Sequence, residues 1–191
     1  MAGLQGKLVE QLQLLHALKS AALRMFDPML RAVARQRTEH ALPEVEDLLG
    51  RMHGVFSGHR AETAEHERRL RRRLSDLGAR PARALVLGLG AGALVRGNLD
   101  RVRGQNHGAA ARDAFVFENL EIASWRLLER LAERADDPLT AELARSAGVQ
   151  DEDMAAAIGR NWDNVLSLML AADGIPTGRT APGPAPEPAA G

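Results

Sequence analysis

Residues 57–70 read "SGHRAETAEHERRL" and carry His59, Glu62 and His66 at steps of three and four. Those steps place side chains on one face of a helix. Imidazole nitrogen and carboxylate oxygen are donors that suit iron, manganese or zinc. The same groups could instead form a buried ion-pair network, or belong to a charged flank held by pairs at i,i+4. The stripe is apolar before and after this stretch, and polar groups in a helical core are expensive unless something satisfies them. A second pair, Glu118 and Glu121, is bracketed by Phe117, Leu120, Ser124, Leu128 and Leu131 and is expected to face inward.

The elements that must position these residues are helices. Leu8, Leu12, Leu15, Lys19, Ala22, Phe26, Leu30 and Val33 recur at steps of three and four, which predicts a first helix over about 4–36. Pro43 suits the first turn of the next helix. The second stripe runs Leu48, Met52, Val55, Phe56, His59, Glu62, Thr63, His66, Leu70, Leu74 and Leu77, and stops at Gly78. Residues 79–110 are glycine-rich and read as a connector with a weak helix over about 82–102. A third helix is expected over about 111–135. Asp137 then caps a fourth, which has Pro138 in its first turn and runs to about Ala172. From Thr177 the chain is a Pro/Ala/Gly tail too poor in large apolar residues to pack, and it is expected to be disordered.

No sustained period-2 alternation competes, so the fold class is all-α. Short links 1–2 and 3–4 with a long link 2–3 predict a four-helix bundle with one crossover, the ferritin-like arrangement. One helical domain over 1–175 followed by the tail at 176–191 is the expected organisation.

Composition narrows the function. The 191 residues carry 25 basic and 25 acidic side chains, so nothing favours a nucleic-acid or anionic-membrane partner. Aromatics are 3% with no Tyr, leaving little surface for stacking bases or sugars, and the lack of Cys removes thiolate catalysis and thiolate metal sites. The most apolar run, residues 84–95, is too short to span a bilayer, and the N-terminus lacks a signal-peptide pattern. A cytoplasmic protein is expected. Lipid contact through 84–95 is a weaker idea. The Gly-x-Gly pattern in "GLGAGALVRG" lacks the preceding strand of a dinucleotide loop and reads as small-residue helix packing.

Three stretches, "GHRAETAEHERRLRRRLSDLG", "ARDAFVFENLEIASWRLLERLAERADD" and "DEDMAAAIGRNWD", resemble the bacterial ferritin-like, YciF-type stress-protein family, and more narrowly its actinobacterial branch, over roughly residues 7–175. The resemblance implies a bundle whose inward carboxylates and histidines hold a di-metal centre, with stress protection as the suggested role. The matching positions are His59, Glu62 and His66 on helix 2, Glu118 and Glu121 on helix 3, and Asp151 or Glu152 on helix 4. The departures are as informative. Lys19 stands where the family pattern expects a glutamate, Asn119 follows Glu118 where a histidine is common, and Met154 occupies the place of a helix 4 histidine.

Lys19 lies mid-helix on the inward stripe, where snorkelling to water is hard. A buried ammonium repels a divalent cation and needs carboxylate partners. The expectation is that Lys19 replaces the metal's charge and turns the centre into an ion-pair network. Two functions follow: a stress-associated, non-catalytic bundle, expected to be a homodimer with no cofactor, or an iron- or manganese-dependent oxidase or iron-handling protein using a residual site.

Overall fold

The computed structural model describes residues 2–39, 43–85, 87–88 and 107–175. Five helices account for most of them: α1 (Ala2–Glu39), α2 (Pro43–Asp76), α3 (His107–Arg134), α4 (Pro138–Gly159) and α5 (Trp162–Ala172). No strand occurs among the described residues. Of the crossover helix expected over 82–102, residues 83–85 and 87–88 are helical, and 86 and 89–102 lie outside the described residues, as does the tail from 176.

The helix ends follow local chemistry. Gly78 has φ 69°, and the Gly78 and Ala79 N–H groups return to the Ser75 and Leu74 carbonyls, closing α2 with a left-handed glycine cap. Asp137 accepts the Thr140 N–H at 3.0 Å and caps α4, with Pro138 in the first turn. Arg73, near the end of α2, donates to both Asp137 Oδ2 and Thr140 Oγ1 at 2.7 Å, tying the end of α2 to the start of α4. α1 runs through Pro28, which lacks the N–H for one helical rung.

The expected fourth helix is two helices. It breaks at Arg160–Asn161, just after Gly159, and the Asn161 amide donates to the Ala157 carbonyl at 2.7 Å. Trp162 at the start of α5 lies edge-on to Phe115 of α3, with ring centroids 5.9 Å apart. The break lets α5 lie across α3 and α2, so that Leu168 joins Val33 and Leu49 in a small core. Periodicity alone could not show this, because the stripe continues through the turn.

The larger core fixes the helix directions. It joins Leu8, Leu12 and Leu15 from the start of α1, Leu70 and Leu74 from the end of α2, Leu128 and Ala132 from the end of α3, and Leu143 and Ala147 from α4. Hence α2 and α3 run parallel. α1 packs on α2 and α3, and α4 packs on α3 and α2, which is the single-crossover connectivity of ferritin-like bundles. Lys19, His59, Thr63, His66, Glu118, Glu121 and Asp151 are all buried in a polar layer beside this core. Two positions of the α2 stripe depart from expectation. Val55 is 50% exposed, and the Glu62 side chain is 44% exposed, because both lie where the stripe drifts toward the seam with α4.

Candidate functional site

Lys19 is fully buried, one turn along α1 from Leu15. Its ammonium donates to Asp151 Oδ2 at 2.6 Å, Asp151 Oδ1 at 2.8 Å and Glu121 Oε2 at 2.9 Å. The Trp125 ring centroid is 5.9 Å from Nζ, and the indole N–H donates to Asp151 Oδ2 at 2.7 Å. Asp151 is therefore held by two donors from two helices. Gly148 of α4 lies against Trp125 of α3, where an added Cβ would stand 3.4 Å from the Trp125 Cβ, an ordinary van der Waals contact.

The imidazoles continue the layer. His59 Nε2 is 3.0 Å from Glu118 Oε1, and its Nδ1 is 3.3 Å from Glu62 Oε2. The His59 ring also stands edge-on to Phe26, at 5.6 Å between centroids. His66 Nε2 is 2.6 Å from Gln150 Oε1. An amide oxygen only accepts, which assigns the His66 proton to Nε2 and leaves Nδ1 as a bare acceptor, 3.8 Å from Asp151 Oδ1. His66 Nδ1, Thr63 Oγ1, Glu118 Oε2 and Glu121 Oε1 find no hydrogen-bond partner among the described residues. His16, on α1, stands 2.8 Å from Glu67 Oε1 but is too poorly aligned for a hydrogen bond.

Charge follows from these contacts. Burial works against the Lys19 ammonium, but Glu121, Asp151 and Glu118 outweigh it and hold its pKa above the usual lysine value. His59 is likewise opposed by burial, yet its bond to Glu118 and that carboxylate's charge raise it. Burial, with Lys19 adding to it, lowers His66 and keeps it neutral. Burial, together with Asp151 and Glu118, pushes Glu121 up to about 8 despite the ammonium beside it. The neighbouring carboxylates thus favour the Lys19 ammonium and the Glu118 contact favours a charged His59, while burial favours the protonated form of Glu121.

The structure brings together Lys19, His59, His66, Glu118, Glu121 and Asp151. Glu62 lies at the rim. Glu152 does not join them: its side chain is 45% exposed and pairs with Arg126 at 2.8 Å, so of the two acidic candidates on α4 Asp151 is the one that faces inward. A cleft of about 420 Å³ between α2 and α4 opens onto the layer, lined by Gly58, His59, Glu62, Gln150, Asp153 and Met154 among others.

The donors do not fit a di-metal centre. Such a centre wants a carboxylate from each of two helices and a carboxylate–imidazole pair from each of the others, and α1 contributes an amine instead. One oxygen or nitrogen each from His59, Glu118 and Asp151 lie within 4.8 Å of one another, a candidate three-donor cluster. A divalent ion there would face the Lys19 ammonium. At about 4 Å and an effective dielectric near 20 that repulsion is roughly 8 kcal/mol.

Trp125 and Gln150 escaped the sequence reading. Their signals were present: a tryptophan on the inner face of α3 whose N–H needs an acceptor, and an amide adjacent to the inward aspartate.

Residues 4–167 match the family described as Domain of unknown function (DUF892). The chain belongs to this family. DUF892 is the family that contains YciF-like proteins, so the coarser part of the resemblance holds. The fold agrees with a crystal structure from Xanthomonas campestris pv. campestris, at TM-score 0.65 and 20% identity, covering 90% of this chain and 99% of that one. At that identity the likeness speaks to the fold alone. Among curated proteins none matches the chain. Among the described residues no helix is long and apolar enough to cross a membrane.

Proposed function

We propose that the chain is a ferritin-like, stress-associated bundle protein of the YciF type in which the Lys19 ammonium takes the place of a metal's charge. Its centre is an ion-pair network that organises the bundle and does no redox chemistry. One observation carries this reading: Lys19 is fully buried with three hydrogen bonds to the Asp151 and Glu121 carboxylates that would otherwise ligate a cation. The stress role rests on the family resemblance, and a cytoplasmic homodimer is part of the same proposal. Elemental analysis of protein purified without chelator is the test. Wild type should carry no stoichiometric iron or manganese, and Lys19→Glu, which restores a carboxylate on α1, should gain metal. Stoichiometric metal in the wild type would overturn the reading.

The His59–Glu118–Asp151 cluster favours a second reading, an iron- or manganese-binding protein with one residual site. In that case the three residues would hold the ion, which would supply Lewis-acid or redox chemistry, and the α2–α4 cleft would admit it. Glu118→Gln should then abolish metal uptake.

A further inference from the structure

The Lys19–Asp151 pair has a second chemical possibility. An amine and two carboxyl groups meet out of reach of water, with side-chain exposures of 0% for Lys19, 0% for Asp151 and 1% for Glu121. With both Asp151 oxygens at 2.6 and 2.8 Å, Nζ stands about 3 Å from Cγ, the separation at which a held nucleophile is close to attack. Two full charges this far from water are costly to keep, and joining them as a neutral amide removes both.

We propose that Lys19 and Asp151 condense to an isopeptide bond, with Glu121 carrying protons and Trp125 holding the reacting carboxyl. This rests on the reading that Lys19, and no metal, occupies the centre, and takes the Lys19–Asp151 ion pair as the state from which the bond forms. The ammonium passes one proton directly to Asp151 Oδ1, 2.8 Å away, giving a free amine and a neutral acid, with Glu121 Oε2 standing 2.9 Å from Nζ. A turn of the carboxyl about Cβ–Cγ presents its face, and the Nζ lone pair forms the N–Cγ bond. The indole N–H, already 2.7 Å from Oδ2, donates to the oxygen on which charge develops. Glu121 takes the second nitrogen proton and passes it to Oδ1, the Cγ–Oδ1 bond breaks, and one water leaves. No oxidant or reductant is needed, and Glu121 ends as it began.

The freed water has acceptors at hand in His66 Nδ1, Thr63 Oγ1 and Glu118 Oε2, buried atoms without partners among the described residues. The bond would join α1 to α4 across 132 residues of sequence, closing α2, α3 and their connections into one covalent ring. Such a ring limits how far the chain can expand on unfolding. That is a useful property for a protein meant to survive stress.

Intact mass spectrometry of the purified full chain, aged at neutral pH, tests this. The expected result is a mass lower than that of the sequence by one water, no tryptic cut after Lys19, and fragment spectra joining the peptides that hold Lys19 and Asp151. Loss of water by cyclisation at Asp173–Gly174 would leave the Lys19 cut intact, and counts against the proposal. Lys19→Arg should keep the full mass. Glu121→Gln, shown folded by circular dichroism, should form the bond about 100-fold more slowly or worse. Asp151→Asn should lose ammonia in place of water. A folded wild type with the full sequence mass and normal cleavage after Lys19 overturns the cross-link. If that protein is also metal-free, the ion-pair centre stands; if it carries metal, that reading falls with it.

Discussion

Replacing Lys19 by methionine keeps most of the side-chain volume and removes the charge. The substitution leaves the Asp151 carboxylate with the Trp125 N–H alone and Glu121 with no donor, both fully buried. Breaking a buried pair from one side costs about 3–5 kcal/mol, because the surviving charge has nowhere to go. For a chain of this length each kcal/mol moves the melting temperature by about 2–4 °C, so Lys19→Met should melt about 6–20 °C below wild type. Thermal melts followed by circular dichroism, with urea titration beside them, give both numbers. A cycle with Asp151→Asn sharpens the test. The double variant should lose clearly less than the two single losses added, since one interaction is being removed twice. A Lys19→Met stability within about 0.5 kcal/mol of wild type would place the amine in a solvated setting. The argument from burial would then fail, and the proposed function with it.

Other outcomes follow from the same geometry. Glu121 has a folded pKa near 8 against an ordinary value of 4.5, so its protonated form favours folding; that stability is complete below 4.5 and is lost as pH rises through 8. Glu121→Gln should flatten the fall in melting temperature between those limits. His66, lowered by burial and by Lys19, works the other way: its contribution is present above 6.5 and is lost as pH drops through its folded value. His66→Asn should therefore lessen the acid sensitivity measured by urea titration. Trp125→Phe removes one donor to a buried carboxylate and should cost about 1.5–3 kcal/mol in urea unfolding. Asp137→Ala removes the α4 cap and the partner of Arg73, for a loss of about 1–2 kcal/mol in thermal melts. Glu152→Gln, on an exposed pair, should leave stability within about 0.5 kcal/mol of wild type.

Much of this protein could be read from one dimension. The stripe through Leu8, Leu12, Leu15 and Lys19 made α1 a helix with an amine on its inner face, because side-chain direction in a helix depends only on spacing. Pro43, Gly78 and Asp137 marked helix ends through backbone chemistry that is local to a few residues. Short and long links gave the single crossover. Other features needed the packed molecule. The break at Arg160–Asn161 is set by where Trp162 meets Phe115, more than forty residues away in the chain. Asp151 and Glu152 are equivalent to any composition argument; a rotation of one residue about α4 sends the first to Lys19 and the second to Arg126. The indole of Trp125 and the amide of Gln150 acquire their roles only when α3, α4 and α2 converge. Spacing within a helix fixes which side chains share a face. Which oxygen then meets which nitrogen across a bundle depends on how four helices settle against one another, and that is information no single stripe contains.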